Sequence, residues 1–122
     1  MREYSMEILM GDCKEILKSF KENSMQHTIT SPPYNFGKKG RDQLPKYTQF
    51  NDNNTQEEYY QYIFTRLIEI IRVTQYYTFF IFQLLRNNKL AYCQLFYDFR
   101  YNVKDCIIWE KTNPQPAIQK TC

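Results

Sequence analysis

Thr30-Ser31-Pro32-Pro33-Tyr34-Asn35 closes a short run, Gln26 to Thr30, that reads as a strand, and it opens a basic loop. Proline fixes its own φ and pushes the residue before it into an extended conformation. Ser31 and Pro32 are therefore expected to be extended, with their carbonyls turned outward and no proline N–H to compete for them. Tyr34 adds a flat face beside those acceptors. Such a platform suits a planar amino group: acceptors take its hydrogens while the aromatic stacks on the attached ring. The same residues also build ordinary strand-end turns. Spacing alone leaves both readings open.

Working outward, Met6 to Met10 reads as a strand. Asp12 stands at a helix N-cap with Glu15 three residues on, a capping box. Cys13, Ile16, Leu17 and Phe20 then fall on one helical stripe. Asn23 and Ser24 end that helix, and Gln26 to Ser31 forms the second strand. Thr55-Gln56-Glu57-Glu58 is another capping box, followed by a stripe of Tyr60, Ile63, Phe64, Leu67 and Ile71. Tyr77 to Phe82, aromatic with an isoleucine, predicts a buried strand. Asn87 or Asn88 is placed to cap a third helix carrying Tyr92, Leu95, Phe96 and Phe99. Val103 to Trp109 reads as a last strand. Alternating strands and helices predict an α/β fold with a mainly parallel sheet. Ligands of such sheets sit at the carboxyl ends of strands, where both Asp12 and Ser31–Tyr34 fall.

A chain of 122 residues supports a single domain with a modest core. Its 43% hydrophobic and 17% aromatic content exclude a disordered chain. A net charge of +3 permits a nucleic-acid partner without demanding one. Cys13, Cys93, Cys106 and Cys122 form no Cys-x-x-Cys pair, and His27 is the sole histidine, so no metal site is expected. Reduced thiols, the absence of a signal peptide and the absence of a bilayer-long apolar run point to a cytoplasmic protein.

Ser31-Pro32-Pro33-Tyr34 resembles the catalytic motif of DNA amino-methyltransferases, which methylate the exocyclic amino nitrogen of cytosine (N4) or adenine (N6) with S-adenosylmethionine. The Ser form of the motif is typical of cytosine-directed members. Gly11-Asp12-Cys13-Lys14-Glu15-Ile16-Leu17 is similar to the segment that precedes the motif in this family. Ile107-Ile108-Trp109-Glu110-Lys111, with Asn113-Pro114-Gln115-Pro116-Ala117, is similar to a later one. The resemblance implies a partial doubly wound, mostly parallel sheet of the S-adenosylmethionine-dependent methyltransferase (Rossmann-like) type. It also implies catalytic roles for Ser31, Pro32, Pro33 and Tyr34, and a contact of Asp12 with the cofactor's adenine amino group. Trp109 matches a family position near the base pocket. A core tryptophan at a strand end is the competing reading.

The base's amino nitrogen is a poor nucleophile because its lone pair is delocalised into the ring. Acceptors on its hydrogens, the Ser31 hydroxyl and the Pro32 carbonyl, would favour a pyramidal nitrogen, which is transition-state stabilisation. The base must leave the duplex stack to reach them, and Tyr34 would stack on it. Phe36 to Thr55 is a long connection, of the kind that is usually functional or mobile. Lys38, Lys39, Arg41 and Lys46 in it could meet DNA phosphates, or simply face solvent.

A glycine-rich cofactor turn is missing: the glycines are Gly11, Gly37 and Gly40, with no Gly-x-Gly among them. The chain therefore resembles the catalytic-motif-first (beta) class cut off before its cofactor segment, an incomplete catalytic domain over residues 1–122. Three readings stay open. The chain is the amino-terminal part of a methyltransferase, truncated or completed by a second polypeptide. It is a silent remnant that at most binds nucleic acid. Or it is an amino-methyltransferase acting on an RNA base or a protein glutamine.

Overall fold

The structure is a computed structural model that describes residues 4–37 and 50–112. Lys38, Lys39, Arg41, Lys46, Asn113–Ala117 and Cys122 lie outside the described residues. The element order is α1 (Cys13–Lys18), β1 (Met25–Thr30), α2 (Gln56–Val73), β2 (Thr74–Phe80) and α3 (Lys89–Asp98).

β1 and β2 pair in parallel, with Thr28 opposite Thr78, Ile29 opposite Phe79 and Thr30 opposite Phe80. The ladder is irregular between Met25 and His27. The chain passes from α2 to β2 without a loop, and the turn is held locally: the Thr74 hydroxyl donates to the Ile70 carbonyl at 2.6 Å. The same hydroxyl meets that of Thr28 at 2.6 Å, which joins the crossover to β1. The result is a small α/β arrangement built on one parallel strand pair.

α2 begins as expected. The Thr55 hydroxyl accepts from the Glu58 N–H and the Glu58 carboxylate accepts from the Thr55 N–H, a complete capping box. Its buried residues are Tyr59, Ile63, Ile70 and Val73. The predicted stripe was thus one position off at its start: Tyr60 is only partly buried and Tyr59 is fully enclosed. Helical spacing admits either neighbour, and the packing of α3 decides between them. Tyr59, Ile63, Ala91, Tyr92 and Leu95 make one core cluster between α2 and α3. Tyr92 stacks on Phe82 with ring centroids 4.3 Å apart, and Phe80 meets it edge-on at 6.3 Å. Such aromatic pairs add about 0.5–1.5 kcal/mol beyond area burial.

α1 differs from expectation in its cap. The Asp12 carboxylate accepts from the Lys14 N–H at 2.8 Å, but Glu15 turns to Lys18 at 3.1 Å and does not close a box. At the other end of α1, where the Ser19 and Phe20 N–H groups close the last turn, Arg72 of α2 adds further donors. Its guanidinium donates to Leu17 and Phe20, each at 2.9 Å.

Two expected strands are not strands among the described residues. Met6–Met10 and Val103–Trp109 take no ladder position, and Met6, Ile8, Met10, Ile107 and Ile108 are largely exposed. A strand exists only where a neighbour about 4.8 Å away accepts from its N–H groups and donates to its C=O groups, and among the described residues the ladder ends at β1 and β2. β2 starts at Thr74, earlier than predicted, and is not buried on both faces. It ends at Phe80; Phe80 and, just past that end, Phe82 pack against the α2–α3 core cluster, whereas Tyr77, Phe79 and Ile81 are exposed. No helix among the described residues is long and apolar enough to cross a membrane.

Candidate amino-group site at the end of β1

β1 delivers Ser31-Pro32-Pro33-Tyr34 at its carboxyl end, and the Ile81 N–H donates to the Thr30 carbonyl at 2.9 Å just before it. Ser31 is exposed; Pro32, Pro33 and Tyr34 are half-buried. The Ser31 and Tyr34 hydroxyls lie 2.9 Å apart in a hydrogen bond. The motif thus folds across itself, with its serine and tyrosine brought together. The Tyr34 ring is tilted against Phe36, centroids 5.9 Å apart.

The three residues after the motif are tied down more tightly than the motif itself. Asn35 is fully buried with φ +59°, a left-handed conformation that Asn tolerates better than most residues. Its side chain donates to the Asn54 and Asn87 carbonyls, each at 2.9 Å, and accepts from the Asn54 N–H at 2.8 Å. The Phe36 N–H donates to the Asp52 carboxylate at 3.1 Å, and the Gly37 N–H to the Asp52 carbonyl at 2.7 Å. Gly37 has φ +70°, and a Cβ there would collide with the Asn87 amide nitrogen. That amide in turn donates to the Phe36 carbonyl at 3.1 Å. Any other residue here would be strained at this φ and would have to displace the Asn87 side chain from that bond.

Two buried side chains reach the motif from the helices. The Tyr59 hydroxyl donates to the Pro33 carbonyl at 2.6 Å, and the Asn88 amide to the Tyr34 carbonyl at 2.7 Å. A carbonyl cannot donate, so the Tyr59 proton is committed to Pro33. In the 2.8 Å contact between the Tyr59 and Tyr92 hydroxyls, Tyr92 is then the donor. Burial above all, with the neighbouring phenols, holds Tyr59 far above the ordinary tyrosine range. Burial likewise pushes Tyr92 up to about 12. Both remain protonated donors throughout the physiological range.

Asn88 sits at the N-cap of α3, as one of the two expected candidates, but its side chain makes no cap bond. Its amide also donates to Gln83 at 3.0 Å, and its oxygen accepts from the Leu85 N–H at 2.7 Å. The capping work passes to Gln56, whose side chain accepts from the Ala91 N–H and donates to the Arg86 carbonyl.

The other predicted site residues are not joined to the motif by any contact among the described residues. Asp12 pairs with Arg66 at 3.0 Å, and Arg66 lies over the Tyr62 ring at 3.7 Å. Tyr59 and Arg66 are seven residues apart on α2, hence on one face and about 10 Å apart along the axis. Motif and Asp12 therefore anchor to the same helix face two turns apart. Trp109 is 72% exposed and so is not the core tryptophan that a strand end would have made it. The described residues contain no group of three His, Cys, Asp or Glu side chains that could hold a metal. Tyr59, Asn35 and Asn88 escaped the sequence reading as parts of this site. The signal present for Asn35 was its place directly after the motif; for the other two there was none beyond helix periodicity and capping.

The sequence model of the DNA methylase family matches residues 25–121. No curated relative and no solved structure matches the chain.

Proposed function

The chain belongs to the DNA methylase family, and from that premise we propose that it methylates the exocyclic amino group of a DNA base, cytosine N4 ahead of adenine N6. The observation that carries the proposal is the state of the motif's acceptors. No described residue donates to the Pro32 carbonyl, while the Pro33 and Tyr34 carbonyls beside it are both occupied. A carbonyl with no donor among the described residues, next to the exposed Ser31, would form with the Ser31 hydroxyl the acceptor pair that the two hydrogens of an amino group require.

In this reading the Pro32 carbonyl and the Ser31 oxygen take those hydrogens and localise the nitrogen lone pair. Tyr34 must turn its hydroxyl away from Ser31 to present its ring to the base. The base reaches the site flipped from the duplex, and positioning supplies much of the rate. Lys38, Lys39 and Arg41 come after the motif in sequence and are proposed phosphate contacts, with Trp109 a further DNA contact.

S-adenosylmethionine, when bound, supplies a methyl group activated on a sulfonium. The donor set of the described residues fits one edge of it. Asp12 already accepts from Lys14 and Arg66, and each carboxylate oxygen has two lone pairs, so Oδ2 retains one for an adenine amino group. No described residue supplies a glycine-rich turn or a ribose-binding carboxylate, so the remainder of the cofactor site is assigned to the rest of a doubly wound sheet, in this chain or a second polypeptide.

The test is expression of the chain and of its Ser31→Ala variant in cells whose DNA lacks amino-methylated bases, followed by mass spectrometry of the digested DNA. N4-methylcytosine in the first and its loss in the second is the expected result. The absence of both N4-methylcytosine and N6-methyladenine from cells making the folded wild-type chain would overturn methyl transfer by this chain.

A further inference from the structure

We infer that Tyr59 and Asn88 are positioning residues that decide which carbonyl of the Ser31–Tyr34 platform meets the substrate amino group. The inference rests on the reading of that platform as the amino-group site.

Pro32, Pro33 and Tyr34 carry three consecutive carbonyls out of β1. A loop with all three free could hold an amino group in several orientations, only one of which suits in-line attack. Tyr59 occupies the second at 2.6 Å and Asn88 the third at 2.7 Å. Of these three, only the first, on the residue next to Ser31, has no donor among the described residues. Selection of one acceptor from three is a geometric effect, and misplacement of a reacting group by about 1 Å can cost on the order of 100-fold in rate.

Both donors are built to do this and little else. Each is fully buried, at 0% exposure. Tyr59 receives a hydrogen bond from Tyr92, which leaves its own proton for Pro33. Asn88 has both amide hydrogens and its oxygen engaged, the hydrogens on Tyr34 and Gln83 and the oxygen on Leu85. Gln83 and Leu85 come after β2, so Asn88 fastens the end of β1 to the end of β2. An Asn at a helix N-cap normally caps. Here Gln56 has taken over that duty, which leaves Asn88 committed to the loop.

The experiment is amide hydrogen exchange by NMR on the purified 122-residue chain, with three variants. Tyr59→Phe should accelerate exchange at Phe36 and Gly37 by about 10-fold or more, because the loop loses its anchor. Tyr92→Phe removes a hydroxyl from the same cluster but not the bond to Pro33, and those amides should stay within about 2-fold of wild type. Tyr60→Phe removes an equivalent hydroxyl from the same helix, one that donates to Asp98 at 2.6 Å, and should likewise leave the loop unchanged. Equal acceleration in all three, or none in Tyr59→Phe, would overturn the inference. In wild type the Tyr59 hydroxyl proton should give its own slowly exchanging signal with a contact to Pro33; the lack of that signal would also overturn it, even if Tyr59→Phe does not fold. In a system that methylates DNA, Tyr59→Phe should lower kcat by about 10-fold or more with KM for DNA nearly unchanged. A raised KM with normal kcat would sink the positioning role. A wild-type chain that never methylates DNA but shows the exchange pattern would refute the function and leave the loop anchoring standing.

Discussion

Two regions of this molecule are finished to different degrees. At the carboxyl end of β1, Asn35 and Asn88 are fully buried, with each hydrogen of both amides placed on a named carbonyl. On the outer face of the sheet, Ile29, Tyr77 and Phe79 are 73%, 47% and 48% exposed. Burying an amide without partners costs about 1–3 kcal/mol per group, so a buried asparagine network is retained only when its geometry is closed. The outer apolar face has no such buried network: its ties beyond the β1–β2 ladder are exposed ones, the Tyr77 ring stacked on His27 and the Tyr77 hydroxyl accepting from Lys104 at 3.2 Å. The difference separates a region that fixes conformation from one that merely adopts what its neighbours impose.

The strongest way to break the contrast is Asn35→Ala. It removes three hydrogen bonds, two of them from donors to backbone carbonyls, and places alanine at φ +59°. A stability loss of about 3–4 kcal/mol is expected in denaturant titration; a loss below about 1 kcal/mol would mean that the network is not closed.

Alkaline titration acts on the tyrosines behind the platform and on the neighbouring α2–α3 contact. Tyr92 is pushed up to about 12 by burial, and Tyr60 to about 12 by burial followed by its bond to the Asp98 carboxylate. A folded-state value above the unfolded one means that the unfolded chain releases its proton first. Stability from these groups is therefore complete below pH ~10 and is lost as pH rises from about 10 through about 12. Tm measured across that window should fall steadily, and Tyr60→Phe should flatten part of the fall. A Tm independent of pH up to 12 would contradict burial of these phenols.

The smallest effect is expected on the outer face. Ile29→Ser should change stability by no more than about 0.5 kcal/mol, read from the shift in urea midpoint. A loss of about 2 kcal/mol would show that this face is covered in solution.

Legibility in the sequence tracked the range of the interactions. The capping box of α2, the cap of α1 at Asp12 and the paired polar and aromatic residues of the motif all depend on neighbours two to four positions away. Met6–Met10 and Val103–Trp109 were read as strands because their residues suit strands, yet a strand is completed by another strand, which no local pattern can supply.

The sequence by itself determined where the platform begins, which of its residues have a proline next in the chain to restrict them, and where helical stripes run, since rigid proline φ values and 3.6-residue periodicity are local properties. Only the tertiary structure decided which of the platform's carbonyls are taken by donors, those of Pro33 and Tyr34. That choice depends on Tyr59, 26 residues from Pro33, and on Asn88, 54 residues from Tyr34. Each of these residues reads locally as ordinary helix or cap; hydrogen bonding across the fold gives them their part in the site.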